Sequence, residues 1–349
     1  MRAAILYGTK DLRVEEVPEP SLLMSSDALV RVVAACICGS DLWRYRGVMP
    51  TETAVRIGHE FVGIVEEAGR DVERVRPGDF VIASFGISDG TCRHCRNGVP
   101  TSCSNGAWWG EQDSRGLALD AGQGERVRVP FADGTLLSLG SSPSRDLIPD
   151  LLTLSDVFPT GYHAAVSAGV TAGSSAVVVG DGAVGLCAVL SSVRLGADRI
   201  VMMSRHPQRQ RLAREFGATD IVAARGTEGI EQVRDLLGGA GADAVMECVG
   251  TSEALEQALG VVRPGGGIGH VGVPISGRAL PMWPMFMQNI SVRGGLAPAV
   301  RYMPLLLDSI LDSSVRPGRV FDLALPLERA ADGYCAMDER RSIKTLLWC

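Results

Sequence analysis

The sequence predicts a two-domain fold, α/β plus β-barrel: a β-rich barrel, then a doubly wound parallel sheet. Three observations predict it. The chain has 349 residues, which is long for one core, so two domains are expected. Residues 1–150 carry short alternating runs broken by Gly and Pro, the pattern of barrel strands. From about 151 to 292, β-branched runs alternate with helical stretches, the pattern of βαβ units.

In chain order, ALVRVVAA, EFVGIVEEAG and DFVIASFG read as strands, and RPGDFV sets a turn before the third. AVVVG is a buried-type strand, trailed by a glycine turn and the helical AVGLCAVLSSVRLGA. The alternation repeats as RIVMMS and QRQRLAREFGA, DIVAA and EQVRDLLGG, ADAVMECVG and SEALEQALGVV, and ends on GGIGHVGV. Beyond about 293, the helical YMPLLLDSILDSS and the strand-like IKTLLW are expected to rejoin the first domain.

Composition narrows the function. Apolar residues make up 46% and charged residues 21%, as in a soluble globular protein. The net charge of −6 and the lack of a long Lys/Arg run argue against a nucleic-acid or anionic-membrane partner. No apolar run approaches the roughly 20 residues of a membrane helix. MRAAILYGTKDLRVEEV turns charged too early for a secretory signal. A cytoplasmic location with reduced cysteines is therefore expected, and clustered cysteines there favour metal over disulfides.

VVVGDGAVG sets Gly180, Gly182 and Gly185 at G-x-G-x-x-G spacing around Asp181, Ala183 and Val184. The motif sits between a strand and a helix, where it lets a pyrophosphate approach the helix N-terminus. An NAD site usually ends the next strand on Asp or Glu. Here Ser204, Arg205 and His206 stand there, with Arg209 beyond, and a hydroxyl and guanidinium suit a 2′-phosphate. NADP(H) is the expectation; a solvated basic helix start is the plainer reading.

Two stretches offer metal ligands. CICGSDLWRYRG carries Cys36 and Cys38, and RIGHEFVG carries His59 and Glu60; thiolate and imidazole are zinc ligands. ISDGTCRHCRNGVPTSC carries Cys92, Cys95 and Cys103 but no fourth cysteine, where a structural zinc wants four ligands.

Through CGSD, GHEFVGIVEEAG, RPGDFV, the cysteine lobe, SDVFPTGYHAA, VVVGDGAVG and ECVG, the chain resembles zinc-dependent medium-chain dehydrogenases/reductases of the alcohol dehydrogenase type. An NADP-dependent bacterial branch with a Cys/His/Asp site is the nearest likeness. The resemblance implies a chaperonin-10-like catalytic domain (1–150 and 293–349), a Rossmann domain (151–292), and an active site in the cleft between them. It implies a catalytic zinc on Cys38, His59 and Asp156, with Glu60 close to the metal, and Ser40 opening a proton relay. The next relay position is usually His and is Trp43 here, so the relay runs through water and ribose, or Trp43 shapes the substrate pocket.

The same resemblance puts Thr160 beside the nicotinamide and Lys344 against the cofactor. Cys248, Val249 and Gly250, and Val271, Gly272 and Val273, would line the cofactor. Cys36 and His163 are expected to pack. In the lobe, about 88–104, Asp89 stands where the family has a cysteine. That implies an Asp89/Cys92/Cys95/Cys103 structural zinc, or an empty lobe held by packing, with His94 an outside candidate. Trp43, Tyr45, Trp108 and Trp109 suggest an aromatic substrate pocket, and PMWPMFMQN (281–289) is either plain core or a pocket or subunit-interface stretch. The implied reaction is hydride transfer between a small alcohol or carbonyl and NADP(H), in a homodimer or homotetramer. The alternatives are a C=C or imine reductase, a non-redox enzyme with zinc not catalytic, and a non-enzymatic nucleotide-binding protein.

Overall fold

The computed structural model describes residues 1–51, 53–275 and 279–349. The chain divides into two units, Met1–Asp156 with Pro298–Cys349, and Val157–Ala297. Both expected boundaries move by a few residues for a plain reason. A cut at 150/151 would split the helix Ile148–Leu152, and a cut at 292/293 would split the strand Ser291–Gly294. That strand pairs in parallel with Val262–His270, so it stays with the second unit.

In the first unit the main sheet runs Leu136–Gly140, Phe80–Ala83, Phe61–Ala68, Ala28–Cys36, Lys344–Trp348, Phe321–Pro326, with Arg126–Val129 also on Ala28–Cys36. Strand register decides which loop residues meet. Phe61 lies opposite Ala35, so the residues just before Phe61 fall beside those just after Ala35. Leu346 lies opposite Cys36, which brings Lys344 to the same end. The core beneath includes Val30, Val32, Phe61, Val65, Val81, Trp109 and Val127. Burying such a side chain stabilises by about 1.5–3 kcal/mol.

Trp109 is part of that core. It meets Phe61 edge to face with centroids 5.0 Å apart, and its indole N–H donates to the Ser84 carbonyl at 2.9 Å. It is 6% exposed, so the expectation of Trp109 in a substrate pocket is corrected: a large aromatic with a satisfied N–H serves packing here. Tyr45 is buried against Tyr334, and Trp108 stacks on Phe85.

The second unit holds six parallel strands in the order Asp220–Val222, Arg199–Met203, Ser175–Val179, Ala242–Glu247, Val262–His270, Ser291–Gly294. This is the doubly wound order, with the first strand central. Ala176 to Val179 are all buried, as expected of a strand covered on both faces. In the helix Met282–Gln288 the plain-core alternative fails, and the pocket or subunit-interface alternative stays open. Only Met285 is buried in it, and Trp283 and Phe286 are exposed, so most of this apolar stretch is surface. Among the described residues, no helix is long and apolar enough to cross a membrane.

Candidate metal centre and nucleotide loop

Register assembles one group of potential ligands in the first unit. Cys38 lies just past the end of the strand Ala28–Cys36, and His59 and Glu60 precede the strand Phe61–Ala68. The Cys36 N–H donates to the Glu60 carbonyl at 3.1 Å, which locks the two ends together. Asp156 comes directly after the turn Thr153–Ser155, whose Ser155 hydroxyl donates to the Phe61 carbonyl at 3.2 Å. One ligand atom from each of Cys38, His59, Glu60 and Asp156 then lies within 4.8 Å of the others. Cys38 Sγ is 3.7 Å from Asp156 Oδ2, and His59 Nε2 is 3.3 Å from the same oxygen.

A further set of residues orients these. His59 Nδ1 is 3.2 Å from Asp41 Oδ1, which leaves Nε2 aimed at the group. Asp41 also accepts from the Cys38 N–H at 3.0 Å, so one carboxylate positions two ligands. Gln123 donates to the Cys36 carbonyl at 3.1 Å and to Asp41 at 3.5 Å, and accepts from the Tyr334 hydroxyl at 3.0 Å. A carboxylate behind a ligating histidine fixes its tautomer and orientation. Sequence reasoning misses Asp41, Gln123 and Tyr334. The available signal for Asp41 is a carboxylate three residues after Cys38 in CGSD.

The electrostatics of the group are those of closely packed acidic side chains around two basic ones. Burial pushes the Cys38 thiol up, and Glu60 adds to it. Burial works against a charged His59, yet Asp41 and Cys38 carry its pKa well above the ordinary value. Three carboxylates and a thiol thus crowd an imidazole and one ammonium. The mixed S/N/O donor set fits zinc rather than magnesium or calcium.

The ammonium is Lys344. It is expected against the cofactor, but its side chain is 1% exposed and Nζ donates to Glu60 Oε1 at 2.6 Å and to the Ile37 carbonyl at 3.2 Å. Burial lowers the Lys344 pKa, but Cys36 and Glu60 carry it well above the usual range. The expectation is corrected: the pairing of Lys344–Trp348 with Ala28–Cys36 turns this lysine inward. Cys36 is fully buried, as expected, and its Sγ lies 3.2 Å from Glu60 Oε2. Ser40 precedes the short helix Asp41–Tyr45, and Trp43 is half-buried under the Arg46 guanidinium, 5.5 Å from its ring.

The cysteine lobe forms a second group. Asp89, Cys92, Cys95 and Cys103 also bring ligand atoms within 4.8 Å, with Cys92 Sγ 3.5 Å from Cys95 Sγ and 3.8 Å from Cys103 Sγ. Asp89 Oδ1 accepts from the Thr91 and Cys92 N–H groups at 2.7 and 2.9 Å, and Oδ2 accepts from Asn105 at 2.7 Å. Despite partial burial, these donors hold its carboxyl well below the usual range. The Cys95 and Ser104 N–H groups lower the Cys92 thiol to about 7. His94 is exposed and outside the group.

In the second unit the glycine loop joins the strand Ser175–Val179 to the helix Ala183–Arg194. Gly180 has φ +111°, and a Cβ there would meet Val249 at 2.6 Å. A Cβ on Gly182 would project into open space, so the loop leaves a cradle in front of the helix N-terminus. The free N–H groups of Ala183, Val184 and Gly185 begin that helix. The cradle fits a dinucleotide. Ser204 directly follows the next strand, Arg199–Met203, and is buried, Arg205 is exposed, and Arg209 lies on the helix Pro207–Glu215.

Nearby, Glu247 Oε1 accepts from the Val249 and Gly250 N–H groups at 2.8 and 2.9 Å and so shapes the turn bearing Cys248. A Cβ on Gly250 would fall 2.1 Å from the Val273 carbonyl, so this turn packs backbone to backbone on Val271, Gly272 and Val273. Thr160 is buried on the helix Val157–Ala168. His163 lies on the same helix; burial lowers its pKa, and Gly294 lies in hydrogen-bond contact, consistent with packing.

Comparison with known proteins agrees with both units. Residues 24–137 match the family model for the alcohol dehydrogenase GroES-like domain, and 183–311 match that for zinc-binding dehydrogenases. Zinc-type alcohol dehydrogenase B of Aspergillus flavus is 34% identical, over 96% of this chain and 78% of that protein. Alcohol dehydrogenase TADH from Thermus sp. ATN1 superposes with a TM-score of 0.91 at 34% identity, over 100% of this chain and 99% of that one. A protein described as a zinc-binding dehydrogenase from Sinorhizobium meliloti, solved with NADP bound, superposes with a TM-score of 0.83 at 27% identity, over 100% and 99% of the two chains. With a barrel unit of GroES type, a doubly wound second unit and these matches along most of its length, the chain belongs to the zinc-dependent medium-chain alcohol dehydrogenase family.

Proposed function

We propose that this chain is an NADP(H)-dependent zinc alcohol dehydrogenase or carbonyl reductase, moving a hydride between nicotinamide and a small alcohol, aldehyde or ketone. One observation carries the reading: the buried meeting of Cys38, His59, Glu60 and Asp156 within 4.8 Å, in a donor set that suits zinc. Zinc bound there supplies Lewis acidity to a substrate oxygen, and the nicotinamide supplies or takes the hydride.

The chain's own residues do the rest. Cys38, His59 and Asp156 hold the metal, and Asp41 keeps His59 turned so that Nε2 faces it. Lys344 holds Glu60 back at 2.6 Å. The Ser40 hydroxyl, two residues from Cys38, takes or returns the substrate proton. Trp43 cannot continue that path, because an indole is a donor only. Beyond Ser40 the proton would pass to water, or to a ribose hydroxyl that a bound cofactor would supply, and Trp43 would bound the substrate pocket. Gly180, Asp181, Gly182, Ala183, Val184 and Gly185 cradle the pyrophosphate end of the cofactor. Thr160, Cys248, Val249, Val271, Gly272 and Val273 line it, and Ser204, Arg205 and Arg209 face its adenosine ribose. Asp89, Cys92, Cys95 and Cys103 hold a second, structural zinc. The working form is a cytoplasmic homodimer or homotetramer.

The Cys38→Ser variant tests this reading. Removing the thiolate should lose one zinc per chain by elemental analysis and lower NADPH-dependent carbonyl reduction by about 10³-fold, the size of several kcal/mol of Lewis-acid stabilisation. Full activity without that zinc would overturn the reading.

A further inference from the structure

The residues assigned to the cofactor's adenosine end are partly engaged with one another. Ser204 Oγ donates to Asp181 Oδ2 at 2.7 Å, and Arg209 Nη1 donates to Asp181 Oδ1 at 3.0 Å. Asp181 is 6% exposed and sits between Gly180 and Gly182 in the glycine loop. One buried carboxylate thus links the loop to the end of the second strand, the place where an NAD site carries its own acidic residue.

Hydrogen-bond bookkeeping gives this link a consequence. A serine hydroxyl has a single proton to donate. With that proton on Asp181, Ser204 can only accept, which suits a ribose 2′-hydroxyl and not a 2′-phosphate, itself purely an acceptor. Arg209, the natural phosphate partner, spends one N–H on the same carboxylate. If Ser204 and Arg209 face the adenosine ribose, the Asp181 carboxylate they hold would lie close to a 2′-phosphate, and like charges at close range repel.

We infer that Asp181 is a specificity-determining residue that restrains the preference for the 2′-phosphate and keeps NAD(H) in use. Arg205 and Arg209 favour NADP(H), and Asp181 opposes them. The inference rests on the reading of Ser204, Arg205 and Arg209 as the groups facing the adenosine ribose.

Isothermal titration calorimetry of NADP⁺ and NAD⁺ into the zinc-loaded full chain and into Asp181→Asn tests it. Asparagine can still accept from Arg209 while its amide donates to Ser204, which frees the serine proton for a phosphate. Asp181→Asn should tighten NADP⁺ by about tenfold, the effect of one relieved like-charge contact, and move NAD⁺ by less than about twofold. In Asp181→Asn/Ser204→Ala much of that gain should vanish, a coupling that a merely structural role would not produce. An unchanged or lowered ratio of NAD⁺ to NADP⁺ dissociation constants would overturn the inference; should Asp181→Asn fold poorly, Asp181→Ser is read in its place. The ratio in the unmutated chain tests NADP(H) use separately. A chain that prefers NAD⁺ but shifts on Asp181→Asn keeps the inference and loses that reading, and a chain that prefers NADP⁺ without shifting does the reverse.

Discussion

The two candidate metal groups are built in opposite ways. The lobe takes all its ligands from one loop, residues 89–103, and every one of them is half-buried. Backbone N–H groups organise it: Cys92 Sγ accepts from Cys95, Cys103 Sγ from Asp89, and Asp89 from Thr91 and Cys92. The other group draws on residues 38, 59, 60 and 156, and only the barrel brings them together. Side chains organise that one, through Asp41, Gln123, Tyr334 and Lys344. The lobe group is organised within a single loop. The dispersed group is a product of the fold, and buried polar partners hold its side chains.

Cys103→Ser should separate the two most sharply. Zinc content should fall by one equivalent, because a loop with three remaining ligands no longer closes the tetrahedron. Metal affinity in such loops is folding energy, so the melting temperature should drop by about 5 °C or more. Turnover at 25 °C should stay within about twofold, since no residue of the dispersed group comes from this loop. A collapse of turnover per remaining zinc would show that the two sites are coupled and break the contrast.

Asp41→Asn probes the other side. The amide keeps the shape but loses the charge that holds His59 and the Cys38 N–H. Loss of such a partner costs about 10–100-fold in metal affinity or activity. Competition with a chelator should release the catalytic zinc first and leave the lobe zinc in place. Release of both together would mean that the groups do not differ as described.

The contrast also explains which features are legible in the sequence. Local patterns carry their own geometry, so G-x-G-x-x-G and Cys92-x-x-Cys95 stand out, whereas Asp89 is picked out only by resemblance to the family's cysteine lobe. Asp156 has no spacing that ties it to Cys38, and only resemblance to a family supplies it. Asp41 sits in view in CGSD, but nothing local says that its carboxylate turns toward His59. Lys344 is misplaced by sequence reasoning because a fully buried lysine is rare, and only strand pairing reveals its partner. Trp109 is misplaced because a tryptophan in a core and one in a pocket read alike until Phe61 and the Ser84 carbonyl are seen beside it. The doubly wound order comes through because helix and strand periods differ along the chain.

Asp338 offers the mildest test. Through Arg46 at 2.6 Å it ties the end of the short helix that bears Asp41 to the helix Ala330–Asp338, and through Lys10 at 2.9 Å it also holds the turn between the strands Arg2–Gly8 and Asp11–Glu16. Its hydrogen bonds to Arg46 and then Lys10 hold its pKa below the ordinary value. A carboxylate depressed in the native state stabilises it above the unfolded pKa, near about 3.9, and loses that contribution as pH falls through the native value. Asp338→Ala should therefore cost less than about 1 kcal/mol at neutral pH, the range of peripheral ion pairs. Denaturant midpoints of parent and variant should converge as the pH falls below the unfolded carboxylate value and through the lower native one. Catalytic zinc should be retained, because Asp338 acts on the helix and not on His59. A zinc loss as large as that of Asp41→Asn would mean that the dispersed site leans on its outer scaffold as heavily as on its immediate partners.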